Sequence, residues 1–343
     1  MADLAGFVEA LPLPVAIVGA DARIVAANAA LTAILGPDLA GRHHITAFRQ
    51  PAVLDAVAQA LETGQPQTAR YLGRDGARDV SWKVTAAPAG GQVVVSFEDL
   101  SAAEDAIRMR RDFVANVSHE LRTPLTALLG YIETVNGPAR EDAAARERFL
   151  GLMAKEGQRM VALVQDLLSL SRVEENERRR PTDPVDLAAV LASVAEVMEA
   201  RAQAAGVRLE FDISSELRPI PGDAEQLRQV FANLVENAVK YGASGGVVEV
   251  CAEAARHHAR LRGKGVLVRV RDRGEGIAAH HLPRLTERFY RVDGHRSRRV
   301  GGTGLGLAIV KHIVNRHRGR FRIDSREGEG TTITVLLPAQ RDL

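Results

Sequence analysis

Between residues 113 and 170 the apolar positions fall into two helical series. Val114, Val117, Leu121, Leu125, Leu128, Ile132 and Val135 step by three and four, which places them on one face of an α-helix. Asn136, Gly137 and Pro138 stop that run with residues that suit a turn better than a helix. Phe149, Leu152, Met160, Leu163, Leu167 and Leu170 form the second series. Two such helices joined by a short loop make an antiparallel hairpin. One hairpin cannot cover both stripes, so a second copy related by a two-fold axis is expected to complete a four-helix bundle.

The flanking segments read differently. Residues 14–36, PVAIVGADARIVAANAALTAILG, predict strand, turn, strand and a short helix, with the turn at Gly19, Ala20 and Asp21. Residues 80–87 and 92–97 predict two more strands around Pro88, Ala89, Gly90 and Gly91. Residues 1–100 are therefore expected to form a small α+β sensor module. Residues 175–186, ENERRRPTDPVD, break the helical pattern with charge and two prolines. We place a linker at 178–186, between a helical segment at 101–177 and a last domain at 187–343. In that last domain helices over 186–205, 223–241 and 304–317 alternate with strands over 207–213, 246–252, 265–271, 320–325 and 331–337. The alternation predicts a two-layer α/β sandwich with mixed strands.

Composition adds exclusions. A chain of 343 residues has room for two or three domains. Its 46% hydrophobic and 26% charged residues are an ordinary globular balance. A net charge of +2 is too mild to point to nucleic acid. The arginine run 178–180 reads as a solvated hinge. Cys251 stands alone, which rules out an internal disulfide and fits a reducing, cytoplasmic setting. The first ten residues carry acids where a signal peptide carries lysine or arginine. No run reaches the ~18 apolar residues that span a bilayer, so no membrane-spanning segment is expected in this sequence, which leaves a membrane-associated partner or an anchor in a longer form as the routes to a membrane. His43, His44 and Trp82 have no ligand spacing, and His257 and His258 read as a surface loop.

The first helix carries unusual chemistry. His119 lies two residues past Val117 and two before Leu121, so at about 100° per residue it points away from the apolar stripe. Pro124 offers no N–H to the carbonyl of Glu120, and its ring crowds that oxygen. The helix is expected to bend or loosen one turn beyond His119, at about 3 kcal/mol for a helix-interior proline. A neutral imidazole is a competent nucleophile. If one nitrogen attacks phosphorus, the other must shed a proton, and Glu120 is the nearest carboxylate. Thr123 follows one turn later on the same face, placed to orient a water.

These residues read SHELRTPL over 118–125, preceded by RRDFVANVS. The stretch resembles the phosphoacceptor box of sensor histidine kinases, with wording similar to the phosphate-regulon sensor subgroup. The resemblance implies that His119 is phosphorylated, that Glu120 is the acid/base, and that Thr123 serves phosphatase activity toward a response regulator. The N-terminal module likewise resembles a PAS domain.

A phosphoacceptor needs a donor. In QLRQVFANLVENAVKYG, residues 226–242, Leu227, Val230, Phe231, Leu234 and Ala238 predict a buried face. Asp223 and Gln226 make a capping box. Asn233, Asn237 and Lys240 form a separate polar row. Amide oxygens suit Mg²⁺ and a lysine suits phosphate, although a solvated helix face has the same pattern. DRGEG at 272–276, ERFYRVD at 287–293 and GGTGLGLAIVKHIV from Gly301 follow. Each is weak alone: the first is a common turn, and the last lacks the ending of a Walker loop.

In this fixed order the four segments resemble the N, G1, F and G2 boxes of the ATP-binding fold shared by gyrase, Hsp90, histidine kinases and MutL. That resemblance implies that Asn237 binds Mg²⁺, with Asn233 beside it. It puts Lys240 and Tyr241 near phosphate and ribose, and Asp272 on the adenine amine. It also assigns Gly274 and Gly276 to the adenine pocket, and Arg291, Gly302, Thr303, Gly304, Leu305 and Gly306 to nucleotide binding. Residues 293–301, with Arg296, Arg298 and Arg299, would form a lid. Hydrolysing relatives carry a glutamate one turn before the metal-binding asparagine. Here that position is Asn233, which is no base, and Glu236 points about 100° away from Asn237. The chain is thus expected to be a homodimeric ATP- and Mg²⁺-dependent histidine kinase. Its second partner is the receiver domain of a response regulator, and its expected setting is phosphate-starvation signalling. The alternative is an ATP-driven conformational machine of the same nucleotide-binding superfamily. FEDLSAAEDAIRMRRDF, 97–113, reads as a helix able to carry a signal from the sensor module into the bundle.

Overall fold

The computed structural model describes residues 4–75, 78–175, 179–258, 263–292 and 302–339. The expected lid at 293–301, Arg178 of the linker, and the side chains of His257 and His258 lie outside the described residues. The chain divides into two compact units, Met1–Val114 and Ala115–Leu343.

The first unit holds α1 (Leu4–Glu9), β1 (Val15–Val18), β2 (Ile24–Ala27), α2 (Ala29–Leu35), α3 (His44–Phe48), α4 (Pro51–Thr63), β3 (Gln67–Asp75), β4 (Arg78–Ala89) and β5 (Gln92–Asp99). The strands form one antiparallel sheet in the order β2-β1-β5-β4-β3. Asn28 organises its N-terminal corner. The Asn28 Oδ1 accepts from the N–H of Leu31 at 3.1 Å, capping α2, and from Val15 at 3.0 Å, while Nδ2 donates to Leu13 at 2.7 Å. Phe48, Val53, Val57, Val84, Val93, Val95 and Phe97 fill the core between α4 and the sheet. β3 was not expected, because its alternation is interrupted by Arg70, Gly73 and Arg74. Pairing with β4 along its whole length makes it a strand.

α5 (Ser101–Asn136) is one helix, and α6 (Ala143–Glu175) follows after six residues. α5 starts where Asp99 Oδ1 accepts from the Ser101 N–H at 2.8 Å, so the expected connecting helix begins after the strand segment Phe97–Asp99. α5 continues through Pro124 without a break in the helix, and Pro124 itself is buried. A proline removes one donor and crowds the carbonyl four residues back, yet the helix runs on to Asn136. One turn back, the Thr123 hydroxyl donates to the carbonyl of His119 at 3.2 Å.

The rest of the second unit is the expected α/β sandwich. β6 (Pro184–Val185), α7 (Leu187–Ala204), β7 (Arg208–Ile213), β8 (Ile220–Pro221), α8 (Ala224–Tyr241), β9 (Val247–His258), β10 (Gly263–Asp272), α9 (Gly306–Arg316), β11 (Arg320–Arg326) and β12 (Gly330–Pro338) follow in order. Five strands run β11-β12-β10-β9-β7, with β7 and β9 parallel and the other pairs antiparallel. α7, α8 and α9 cover one face. Leu227, Val230, Phe231 and Leu234 of α8 and Ile309, Val310 and Ile313 of α9 are fully buried, as are Val248, Val250, Val268 and Val335 of the sheet. The expected linker is tied down at its end: β6 pairs with β8, and Arg316 Nε donates to the carbonyl of Arg179 at 3.0 Å.

Candidate functional site

His119 is exposed on α5. Glu120, beside it, is half-buried and turns toward α6, where Arg159 Nη2 stands 3.6 Å from its Oε2. Arg159 also faces Glu156 at 3.9 Å. The carboxylate next to the histidine is thus held by a cation on the neighbouring helix, a partner that sequence spacing did not show. The Thr123 side chain is exposed on the same turn as its His119 acceptor.

Around α8 the structure gathers the four glycine- and asparagine-bearing segments. The side chain of Asp223 accepts from the N–H of Gln226 at 3.1 Å and caps the helix. That positions Asn233, Asn237 and Lys240 on one half-buried row, away from the core face. The Asn233 Nδ2 donates to the Gly306 carbonyl at 3.4 Å, joining the row to the start of α9. A Cβ on Gly302 would stand 2.9 Å from Lys240 Nζ, so the glycine loop lies directly against the lysine. The Lys240 ammonium lies 5.6 Å from the Tyr241 ring centroid, and Tyr241 is half exposed. Burial lowers the pKa of Lys240, Glu236 raises it, and Arg291 and Arg159 lower it further. A partly desolvated cation flanked by arginines is a place that favours an anion.

Asp272 ends β10 and is only 8% exposed. Burial raises its carboxyl pKa, opposed only in part by backbone hydrogen bonds from Gly274, at 2.9 Å, and Thr331. Gly276 adopts φ +69° with the backbone of Arg326 against its Cα, so a side chain there would collide. Gly304, at φ +71°, packs on Phe289, whose own φ is +64° and whose N–H donates to the Gly304 carbonyl at 2.9 Å. Left-handed backbone at a phenylalanine is uncommon and is kept only where surroundings impose it. Leu305 is fully buried, and its N–H donates to Thr303 Oγ1 at 3.2 Å.

Sequence reasoning missed the residues of α6 that meet this region. Thr303 donates to Asp166 at 2.6 Å, Ser169 to Gln229 at 2.8 Å, and Arg288 to Glu174. The signal was present: residues 160–170, MVALVQDLLSL, are apolar on more than one face, more than a single hairpin contact uses. Glu236, discounted on angular grounds, pairs with Arg201 at 3.3 Å on the exposed side of α8.

The donor set fits a magnesium nucleotide. It offers a buried carboxylate in a glycine turn for a base, two amide side chains one helical turn apart for a hard cation, and a lysine against a glycine loop for phosphate.

Family models match in three consecutive blocks: a PAS fold over residues 8–105, a His Kinase A (phospho-acceptor) domain over 109–176, and a histidine kinase-, DNA gyrase B- and HSP90-like ATPase over 222–341. The chain is 42% identical over 243 residues to the phosphate regulon sensor protein PhoR of Pseudomonas aeruginosa, covering 71% of this chain and 53% of PhoR. It is 36% identical over 247 residues to the sensor protein kinase WalK of Staphylococcus saprophyticus, covering 72% of this chain and 39% of WalK. It therefore spans about half the length of these curated relatives or less. The solved histidine kinase AdeS of Acinetobacter baumannii superposes with a TM-score of 0.50 at 26% identity, covering 65% of this chain and 98% of AdeS. No described helix is long and apolar enough to cross a membrane. A phosphoacceptor hairpin joined behind a PAS fold to this nucleotide-type sandwich makes the chain a member of the sensor histidine kinases of two-component systems.

Proposed function

We propose that this chain is an ATP-dependent protein histidine autokinase that phosphorylates His119 and passes the phosphoryl group to an aspartate on a response regulator. The observation that carries the reading is the pairing of an exposed histidine, flanked by Glu120, with a site in the same unit that fits a nucleotide. One nitrogen of His119 forms the new bond to the γ-phosphorus as the bond from that phosphorus to the β-bridging oxygen breaks, and the electron pair leaves with ADP. Glu120 takes the proton from the other nitrogen, and Arg159 stabilises the carboxylate before transfer. On this reading Asp272 receives the adenine amine, Lys240 and the loop of Gly302, Thr303 and Gly304 hold the phosphates, and Asn237 holds Mg²⁺. When bound, the ion neutralises charge on the phosphate oxygens. Asn233 stands where a hydrolytic carboxylate would be needed, so water is not activated and the nucleotide is kept for His119. Thr123 would position water for dephosphorylation of the regulator.

The division we propose is 1–100 sensor, 101–177 phosphotransfer, 178–186 linker and 187–343 catalytic. Homodimerisation through the hairpin is supported by its exposed apolar side chains: Leu125, Leu129 and Ile132 on α5 and Val161, Val164 and Leu168 on α6. The similarity to PhoR supports phosphate limitation as the signal, and a cytoplasmic site of action fits the single free cysteine. Incubation with γ-labelled ATP tests the enzyme: label should be acid-labile and base-stable, and absent in His119→Ala. Acid-stable label would overturn the reading. Phosphotransfer profiling against the response regulators of the source genome would identify the partner and check the phosphate assignment.

A further inference from the structure

The carboxylate beside the acceptor belongs to a three-member charged set within the hairpin. Glu120 comes from α5, while Glu156 and Arg159 come from α6, one turn apart. Arg159 Nη2 stands 3.6 Å from Glu120 Oε2, and its Nη1 stands 3.9 Å from Glu156 Oε2. One guanidinium thus lies between two carboxylates and turns a separate terminal nitrogen to each. All three side chains are half-buried. The phosphoacceptor box at 118–125 contains neither Glu156 nor Arg159.

Two features suit this set to handling a proton. Both gaps exceed hydrogen-bond reach, so Arg159 attracts the Glu120 carboxylate without occupying its lone pairs. Those lone pairs stay open to the proton of His119, the preceding residue on the helix. The pull across the hairpin also restricts a side chain that would otherwise sample many rotamers. The second feature is the spare anion. Arginine does not release its proton. When Glu120 takes a proton it becomes neutral, and a half-buried cation left without a counter-charge is costly. Glu156 is the anion that remains. The set is anionic before the proton arrives and neutral afterwards, and Arg159 has a carboxylate partner in both conditions.

We propose that Arg159 and Glu156 are positioning residues for the autokinase step: Arg159 aims the Glu120 carboxylate, and Glu156 takes over Arg159 once Glu120 has accepted the proton. The proposal rests on the autokinase reading above and adds Glu156 and a hand-over of charge to it. The proton passes from the non-attacking nitrogen of His119 to an oxygen of Glu120, and no other group in the set changes protonation. A base oriented by a third group is a recurring arrangement in nucleophilic catalysis. Here an anion keeps the orienting cation paired.

The test follows label from γ-labelled ATP into His119 of the full chain over a range of ATP concentrations with magnesium. Affinity for the β,γ-imido analogue of ATP is measured alongside, because the charge of Arg159 also reaches Lys240. Glu120→Gln should lower the rate at saturating ATP by about a hundredfold, as loss of a general base does. Arg159→Met should lower it by at least about tenfold, a share of that contribution, and Glu156→Gln by about three- to tenfold. Arg159→Lys keeps the charge but not the planar fork, and should recover at least about threefold over Arg159→Met. Analogue affinity should stay within about twofold of the parent in every variant, since uniform binding is not what these residues supply. If Arg159 acts through Glu120, removing it costs little once Glu120 is gone. The double variant Glu120→Gln with Arg159→Met should therefore label within about twofold of Glu120→Gln alone. Effects that multiply in the double variant would mean that Arg159 supports the hairpin and not the base, and would overturn the proposal. So would a saturating rate within about twofold of the parent in Arg159→Met or in Glu156→Gln, or a loss confined to analogue affinity. In each of those cases label on His119 in the parent leaves the autokinase reading standing. A parent that takes no label on His119 removes both.

Discussion

The hairpin and the sandwich are built from similar helices yet bury them very differently. In the sandwich, Leu227, Val230, Phe231 and Leu234 of α8 are fully enclosed by the sheet and its neighbours. In the hairpin, Leu129 remains 55% exposed and Leu168 54%. A sheet with helices on one face closes its own core, whereas two antiparallel helices cover only part of each other. The lesson is that the sandwich is complete as one chain and the hairpin is not. An apolar stripe left open this way marks an association surface.

The sharpest way to break that comparison is to charge the open stripe. Leu129→Asp with Leu168→Asp should leave the fold of each chain intact, judged by circular dichroism, and shift sedimentation from dimer to monomer at micromolar concentration. A dimer that persists would mean the hairpin is covered some other way. The opposite experiment removes a closed side chain. Phe231→Ala should cost about 3–5 kcal/mol in urea unfolding of the sandwich, as other large aromatic truncations in cores do.

A smaller effect is expected at His317, which is fully buried at the end of α9. Its Nε2 accepts from the Asp223 N–H at 3.0 Å, and its Nδ1 donates to Ile313 at 2.8 Å. Both bonds are satisfied by the neutral ring. His317→Leu strands the Asp223 N–H and should cost about 1–3 kcal/mol. Burial lowers the pKa of His317 below its ordinary value of 6.5, partly opposed by the Ile313 carbonyl and by Asp223. The neutral form is therefore favoured by folding. The stabilisation is complete above pH 6.5 and is lost as pH falls from there toward the lower folded value. Unfolding curves in the parent should show that acid-side loss, and His317→Leu should flatten it.

Smaller again is the helix cap: Asp223→Ala should cost about 1 kcal/mol. At the bottom of the range, Arg269→Ala removes a 2.8 Å pair with Glu253 on the exposed sheet face. Its effect should be under about 0.5 kcal/mol and should shrink with added salt.

Much of the architecture was legible from residue order. Apolar steps of three and four located α5, α6 and α8, and the alternation after residue 186 placed four strands of the mixed sheet within two residues of their observed limits, while β9 runs six residues beyond its expected end at residue 252. β3 was not legible, because Arg70 is long and polar and Gly73 contributes no side chain. Arg70 earns its place by bonding Ser81 at 2.8 Å and Glu104 at 2.7 Å, contacts with β4 and α5 that no local pattern encodes. At Pro124 the surrounding ladder carries α5 past one missing donor.

Within the candidate site, helix period put Asn233, Asn237 and Lys240 on one row, but it was the resemblance of the four segments, in order, to a known ATP-binding fold that singled out that row and the glycine segments. Their partners were legible from neither. Arg159 on Glu120, Asp166 on Thr303 and Glu174 on Arg288 join residues far apart in the chain. Residue order by itself determined which helices and strands form and which side chains share a face, because those follow from periods of a few residues. Which charges meet, and which loop a distant carboxylate grips, was decided only by packing, because contact across a fold depends on where whole elements come to rest.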